Sequence, residues 1–377
     1  MSNTFLTPTM VARDAAIALD NRLVVGNLVS RDKENTFTAS KIGDSVTVTL
    51  PPAVSDAGEF TGTTVATDQT ETSIALKLEK WFYKRVDLTS KQKSLELSDF
   101  TRLVTVPQIQ GIQEAIDKFF LRNMQVFRKN LTGTVGNRPS TLAHITAASK
   151  AMTDLKLSRA GRVALIDSTV ENSFLQLAQF ISTDSGADAA AALAAGKLGR
   201  RVGFDFNVDA NLGAFSRSAA ANDIAGTVLT NGTPAVGATT FAIDGITNAT
   251  GTIYAGTVIT LAGDTTRYVV RSDAAITGNA ATLIVAPALA AAPGDGAAVT
   301  FEAAGYSNLV FDPRAVAGCI VAPEPLSGGN SVVQSYNGVS IRVSMDSSIA
   351  SLSDSVVYDV FVGCRVIQPD GGALFCG

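Results

Sequence analysis

From Asp44 to Leu131 the sequence carries two hydrophobic periods in succession, and their junction limits what the chain can fold into. Asp44 to Leu50 alternates polar and apolar residues at period two. Pro51 to about Thr72 is polar and carries Gly and Pro. Ser73 to Leu78 alternates again, with Ile74, Leu76 and Leu78 on one face. This pattern predicts a long two-stranded arm. From Pro107 to Leu131 the period becomes helical. Ile109, Ile112, Ile116, Phe119, Phe120 and Phe127 form one apolar stripe, while Glu114, Asp117, Lys118, Arg122, Arg128 and Lys129 fall mostly elsewhere. Pro107 suits the helix start and Gly133 its stop. At ~1.5 Å per residue the helix would span about 35 Å. An isolated hairpin is marginal in water. The arm is therefore expected to lie on a neighbouring copy of the same chain.

A length of 377 residues corresponds to about two to three domains. Hydrophobic residues make up 46% and charged residues 17%, a balance that expects part of the surface to be covered by other subunits. The net charge of −4 argues against a globally basic, sequence-reading nucleic-acid binder. Cys319, Cys364 and Cys376 show no CxxC spacing and read as reduced thiols. Arg13 and Asp14 precede any apolar run, so no signal peptide is expected. The Ala-rich run Ala187 to Ala195 is too short to span a bilayer. These features place the product in a cytoplasm, away from membranes.

Ahead of the arm, Thr7 and Pro8 can open a helix in which Val11, Ala15 and Leu19 share a face. Such a helix either packs on its own domain or reaches across a subunit boundary. Lys80 to Arg85 places Trp81, Phe82 and Tyr83 between basic residues. Interleaved rings and cations suit single-strand stacking, but the favoured reading is a strand whose rings enter a core. Further on, Leu142 to Leu157 reads as a helix and Val163 to Asp167 as a short strand. Glu171 to Phe180 reads as a helix that Asp167 or Ser168 can cap.

From about Ala219 to Ala304 the composition shifts to Ala, Thr and Gly, and no lysine follows Lys197. Short runs separated by turns lie at Thr227–Leu229, Thr240–Ile243, Thr257–Leu261, Tyr268–Arg271, Thr282–Val285 and Ala298–Phe301. They predict a small β-barrel or sandwich. Six carboxylates against Arg267 and Arg271 give this stretch the whole net charge of −4. It reads as an inserted domain facing solvent. Ala315 to Val321 then reads as a buried strand. Asn337-Gly338 marks a hairpin turn. Val356 to Ile367 forms a final long strand with Tyr358, Val360, Val362, Cys364 and Val366 on one face.

Catalytic chemistry is not evident. His144 is the only histidine and has no nucleophile-elbow motif beside it. One histidine and scattered cysteines do not make a zinc site. Glu96 with Asp99, and Asp205 with Asp209, read as solvated surface. The glycines of Gly196-Lys197-Leu198-Gly199 match neither a P-loop nor a dinucleotide fingerprint. No enzyme activity, cofactor or metal is expected.

The order of these elements resembles the major capsid protein of tailed bacteriophages, the Hong Kong 97 fold. Locally the likeness is carried by Gly196 to Asp205, by Asn308-Leu309-Val310-Phe311 through Ala322-Pro323, and by Val339–Val343 followed by Val356–Ile367, Gln368-Pro369 and Gly371-Gly372-Ala373. The resemblance implies an α+β capsid fold with an N-terminal arm at residues 1–42 and an extended loop at 43–88. A peripheral domain with the spine helix would occupy 89–138. The first part of the central domain would lie at 139–218, the inserted β-rich domain at 219–304, and the return strands at 305–377. The late insert resembles that of the Salmonella-phage-type coat subfamily, which uses a separate scaffolding protein. The chain starts at the arm, which fits that mode.

The implied function is self-assembly into hexamers and pentamers of an icosahedral shell enclosing double-stranded DNA. Portal and cement proteins would be further partners. The product would reside in the virion after assembly in the host cytoplasm. Some members crosslink through a loop lysine; Pro51 to Thr72 contains none, so no isopeptide bond is expected. Arg122, Arg128 and Lys129 are candidate DNA-facing residues, and Gly43, Gly58 and Gly62 candidate hinges. An encapsulin-like nanocompartment or a secreted β-rich surface protein are the alternative readings.

Overall fold

The computed structural model describes residues 8–32, 45–50, 72–89, 100–181, 198–212, 214–215, 224–326, 330–348 and 352–377. Gly43, Gly58, Gly62, Thr7, Glu96, Asp99 and the hairpin tip lie outside the described residues. The described helices are α1 (Pro8–Arg22), α2 (Val25–Leu28), α3 (Val106–Met124), α4 (Leu142–Asp154), α5 (Ser168–Leu175) and α6 (Ala178–Ile181). The strands begin with β1 (Ser45–Leu50), β2 (Thr72–Lys77), β3 (Lys80–Thr89), β4 (Leu131–Thr132), β5 (Arg162–Ile166), β6 (Arg200–Arg201), β7 (Phe204–Val208) and β8 (Ala214–Phe215). There follow β9 (Leu229–Asn231), β10 (Thr240–Asp244), β11 (Thr250–Ile253), β12 (Val258–Leu261), β13 (Tyr268–Val270), β14 (Ala274–Thr277), β15 (Ala281–Ala286) and β16 (Val299–Phe301). The last are β17 (Gly305–Tyr306), β18 (Leu309–Phe311), β19 (Val316–Val321), β20 (Asn330–Tyr336), β21 (Val339–Ser348), β22 (Ser353–Val366) and β23 (Gly372–Phe375).

The chain divides into two compact units. The first comprises residues 1–20, 31–109 and 317–367. Its frame is a sheet in the order β19-β22-β21-β20, antiparallel from β22 to β20, with β3 also paired antiparallel along β22. Asn337 and Gly338 take φ of 50° and 85°, so the β20–β21 turn has the positive-φ pair a tight hairpin demands. Tyr358, Val360, Val362, Cys364 and Val366 are all buried, as the alternation in β22 predicts. The Tyr358 hydroxyl meets that of Thr105 at 2.9 Å, and burial pushes its pKa up to about 12. The stripe Val11, Ala15 and Leu19 of α1 is buried within this single chain, and Thr101 Oγ1 donates to Asp14 at 3.0 Å. The described part of α1 thus follows the reading in which it packs on its own chain.

The second unit comprises residues 21–30, 110–316 and 368–377. One of its sheets runs β4-β23-β18-β5-β7-β6, with β5 and β7 parallel and β18 antiparallel between β23 and β5. Phe174 of α5 sits at the centre of the core, with Phe206, Phe375 and Phe180 ring centroids 5.9, 6.1 and 6.2 Å away. Asp167 caps α5 by accepting from the Val170 N–H at 2.8 Å. The buried Arg162 guanidinium donates to the carbonyl of Ser149 in α4 and to those of Leu157 and Ser158 just past its end, tying the turn after α4 to the start of β5.

The insert folds as a barrel. Its strands run β16-β12-β13-β15-β10-β9, and a bridge between Leu229 and Ala298 joins the two edges. Ile243, Ile259, Tyr268, Val270 and Leu283 are buried inside it. The added antiparallel pair β11–β14 is not among the predicted strands. Thr-Gly-Thr-Ile and Ala-Ala-Ile-Thr carry too little apolar alternation to announce strands.

The spine helix differs from its prediction at both ends. A π-helical turn, Thr101–Thr105, precedes α3, and a 3₁₀ turn, Gln125–Lys129, follows it. Pro107 therefore lies inside the helical run rather than at its start. The apolar stripe Ile109, Ile112, Ile116, Phe119 and Phe120 is buried as expected.

Candidate assembly interface

The hairpin begins on its own chain. β1 and β2 pair in antiparallel register, with Val46 opposite Leu76 and Val48 opposite Ile74. Val48 and Leu76 are buried with Ala317 and Cys319. The described base thus finds apolar cover within the same chain. Gly363 makes the contact possible. A Cβ there would collide with the Lys77 carbonyl oxygen and lie 2.7 Å from Cys319 Sγ. The Glu79 N–H then donates to the Val362 carbonyl at 3.1 Å, which leads the chain into β3.

Strand β3 is the strand expected from Lys80 to Arg85, but its rings do not all enter a core. Trp81 and Tyr83 are 57% and 71% exposed. The correction follows from parity. Phe82 alternates with Val86 and Leu88 on one face, whereas Trp81 and Tyr83 share the other with Arg85 and Asp87. On that face Trp81 Nε1 donates to Asp359 at 2.9 Å, and its ring lies 5.2 Å from that of Phe361. Asp359 is buried and also accepts from Arg342 Nε at 2.9 Å and from Arg342 Nη2. Arg85 bridges Asp87 at 2.8 Å, and Ser355 with Arg85 holds the Asp87 carboxyl below the usual range. The result is a fixed polar row carrying two outward aromatic rings.

The candidate DNA-facing residues are not equivalent. Arg122 pairs with Asp273 at the β14 end of the insert and is half-exposed. Lys129 Nζ pairs with Asp370 at 2.6 Å. Arg128 is 1% exposed, and burial lowers its pKa to about 10. That enclosure withdraws Arg128 from an outward role. Two carboxylates expected at the surface are likewise inside, Asp117 and Asp209. The signal for both is tertiary, since the chain that covers them is distant in sequence.

His144 Nδ1 accepts from the Ser140 and Thr141 N–H groups at 3.1 and 3.4 Å, an end-capping arrangement for α4. Among the described residues no group of three or more His, Cys, Asp or Glu is placed to hold a metal ion. Among the described residues the cysteines are buried and form no disulfide. No described helix is long and apolar enough to cross a membrane.

No protein-family model matches the chain, and no curated protein does. Solved structures do. A structure from Mycobacterium phage Che8 is similar at 16% identity with a TM-score of 0.51, covering 94% of this chain and 90% of that one. The capsid of cyanophage P-SCSP1u is similar at 12% identity and a TM-score of 0.47, covering 88% and 83%. The capsid of an empty GTA particle stands at 12% and 0.46, covering 99% and 92%. The likeness to the Che8 structure runs through nearly all of both chains. The chain has the Hong Kong 97 fold that its order of elements resembles, with a barrel inserted.

Proposed function

We propose that this chain is the major capsid protein of a tailed bacteriophage, a non-enzymatic subunit that self-assembles into hexamers and pentamers of an icosahedral shell around double-stranded DNA. The observation that carries the reading is the shared fold with the Mycobacterium phage Che8 structure along almost the full length of both chains. A scaffolding protein and a portal are its proposed partners, with a cement protein as a further candidate. It would be assembled in the host cytoplasm and reside in the virion. Gly43, Gly58 and Gly62 are proposed hinges that let the arm adopt the different orientations of a closed lattice. Arg122 and Lys129 are proposed to meet DNA phosphates without sequence preference.

Purified protein under negative stain should show closed shells rather than filaments or single globules. Shells from infected cells should protect DNA from nuclease. Enzyme cargo without DNA would sink the capsid reading in favour of a nanocompartment. Arg122→Gln with Lys129→Gln should leave shells intact and reduce the protected DNA; undiminished protection would dismiss those two residues.

The outward face of β3 is proposed to receive the arm of an adjacent copy. The arm tip from Pro51 to Glu71 carries Asp56, Glu59, Asp68 and Glu71 and no lysine or arginine. Arg85 on that face, with the exposed Lys80 and Lys84 of opposite parity on the same strand, complements it in charge. Tyr83→Glu puts a negative charge on an exposed site, so folding should change by about 0.5 kcal/mol or less. Assembly yield, read by sedimentation, should fall steeply. Wild-type yield from this variant would remove β3 from the interface.

A further inference from the structure

The Asp117 carboxylate on α3 is fully buried against the segment Leu23–Val29. Its Oδ1 accepts from the Gly26 N–H at 3.1 Å. Its Oδ2 accepts from the Val24 N–H at 3.3 Å and from Gln113 Nε2 at 2.5 Å. These donors are all neutral, and among the described residues no cation pairs with Asp117. The titratable group that acts on it is Asp209, just beyond β7 and 3% exposed. Asp209 Oδ1 accepts from the Asn211 N–H and side-chain amide at 2.8 and 2.9 Å. Its Oδ2 is buried without a hydrogen-bond partner among the described residues. The covering segment contributes backbone amides and the apolar side chains of Leu23, Val25 and Val29. On α3, the neighbouring Glu114 and Lys118 pair with each other at 3.7 Å near the surface. Next to the segment, Arg22 donates to the neutral Gln110.

A buried carboxylate without a counter-charge, with a second carboxylate acting on it, favours proton uptake. We propose that Asp117, with Asp209 beside it, is a proton-operated latch on Leu23–Val29: with the proton bound the segment is held on α3, and with the proton lost the hold weakens. The direction follows from linkage. Burial, reinforced by Asp209 and opposed by the Gln113, Gly26 and Val24 donors, pushes the closed-state carboxyl up to about 6. With the segment lifted, water reaches Asp117 and its pKa returns toward the ordinary 3.8. The closed state thus binds the proton more tightly. Its advantage is fullest below the open-state value and is lost as pH rises through about 6. Between pH ~5 and pH ~7.5 the closed-to-open ratio should fall about tenfold. The latch belongs to a single chain and does not depend on assembly.

Hydrogen exchange of the peptide spanning residues 21–30, in the full-length chain and corrected for intrinsic rates, tests this. The wild type should be about tenfold more protected at pH ~5 than at pH ~7.5. Asp117→Asn should give the same protection at both. Asp209→Asn should keep the dependence but move its midpoint to lower pH, because a like charge is gone. Equal wild-type protection at the two pH values would overturn the latch, as would a dependence that survives in Asp117→Asn. Should Asp117→Asn fail to fold, an unmoved midpoint in Asp209→Asn overturns it instead.

Discussion

Asp359→Ala is expected to destabilise the first unit by about 3–5 kcal/mol, a large share of the ~5–15 kcal/mol that holds a typical domain. Asp359 and Arg342 sit directly opposite each other on β22 and β21. Both are buried, and the guanidinium meets the carboxylate through Nε and Nη2. Removing the carboxylate leaves a buried cation bonded to the neutral Glu324 carbonyl, and it orphans the Trp81 indole N–H. The cost is the desolvation of a charge that has lost its counter-ion, rather than the worth of the pair itself. Replacing both partners, as in Arg342→Met with Asp359→Leu, should therefore recover most of the loss. Urea unfolding followed by the fluorescence of Trp81, the single tryptophan, reads the change close to its source. A double variant as unstable as Asp359→Ala would refute this account. The same pair fixes Trp81 in its outward pose, so Asp359→Ala should also lower assembly yield.

How far the sequence reveals this fold depends on whether a residue's surroundings are local. The β20–β21 turn was legible because Asn-Gly is a local statement about positive φ, and φ is positive at both positions. The inward face of β22 was legible because five apolar residues alternate without interruption. The barrel strands were legible as turn-separated runs, although β11 and β14 were not. β3 was misread because rings occupy both parities of Trp81-Phe82-Tyr83. Only Val86 and Leu88 downstream show which parity faces inward. Asp117 was read as peripheral because it falls beside the Ile112–Ile116–Phe120 stripe. It is buried by Leu23–Val29, some ninety positions earlier in the chain. Arg128 was misread for a similar reason: a cation past the end of α3 is ordinarily solvated, and here the chain closes over it. The charged residues of the candidate interface thus depend on tertiary contacts that local patterning does not encode.

Gly363→Ala is expected to unseat the base of the hairpin. Gly363 does not take a positive φ, so alanine meets no conformational objection there. The effect isolates close approach. The new Cβ would press on the Lys77 carbonyl oxygen, with that carbonyl carbon 3.1 Å and Cys319 Sγ 2.7 Å away. The sulfur is confined in a buried cluster with Val48 and Leu76, and the carbonyl belongs to the backbone of β2. Neither can yield without moving the strand. Overpacking of this kind costs about 1–3 kcal/mol, and lifting β2 relieves it. Because β1 is paired to β2 along its whole length, the base of the arm moves as one body. Shells should then fail to close while the unit's main sheet stays folded, which combined circular dichroism and sedimentation would report. Adding Cys319→Ala removes the sulfur contact and leaves the carbonyl contact in place. If the double variant assembles normally, the sulfur was the obstacle and the Lys77 approach does not govern where the arm begins. If it stays defective, the missing side chain at Gly363 is what lets the hairpin leave the sheet at the angle its function requires.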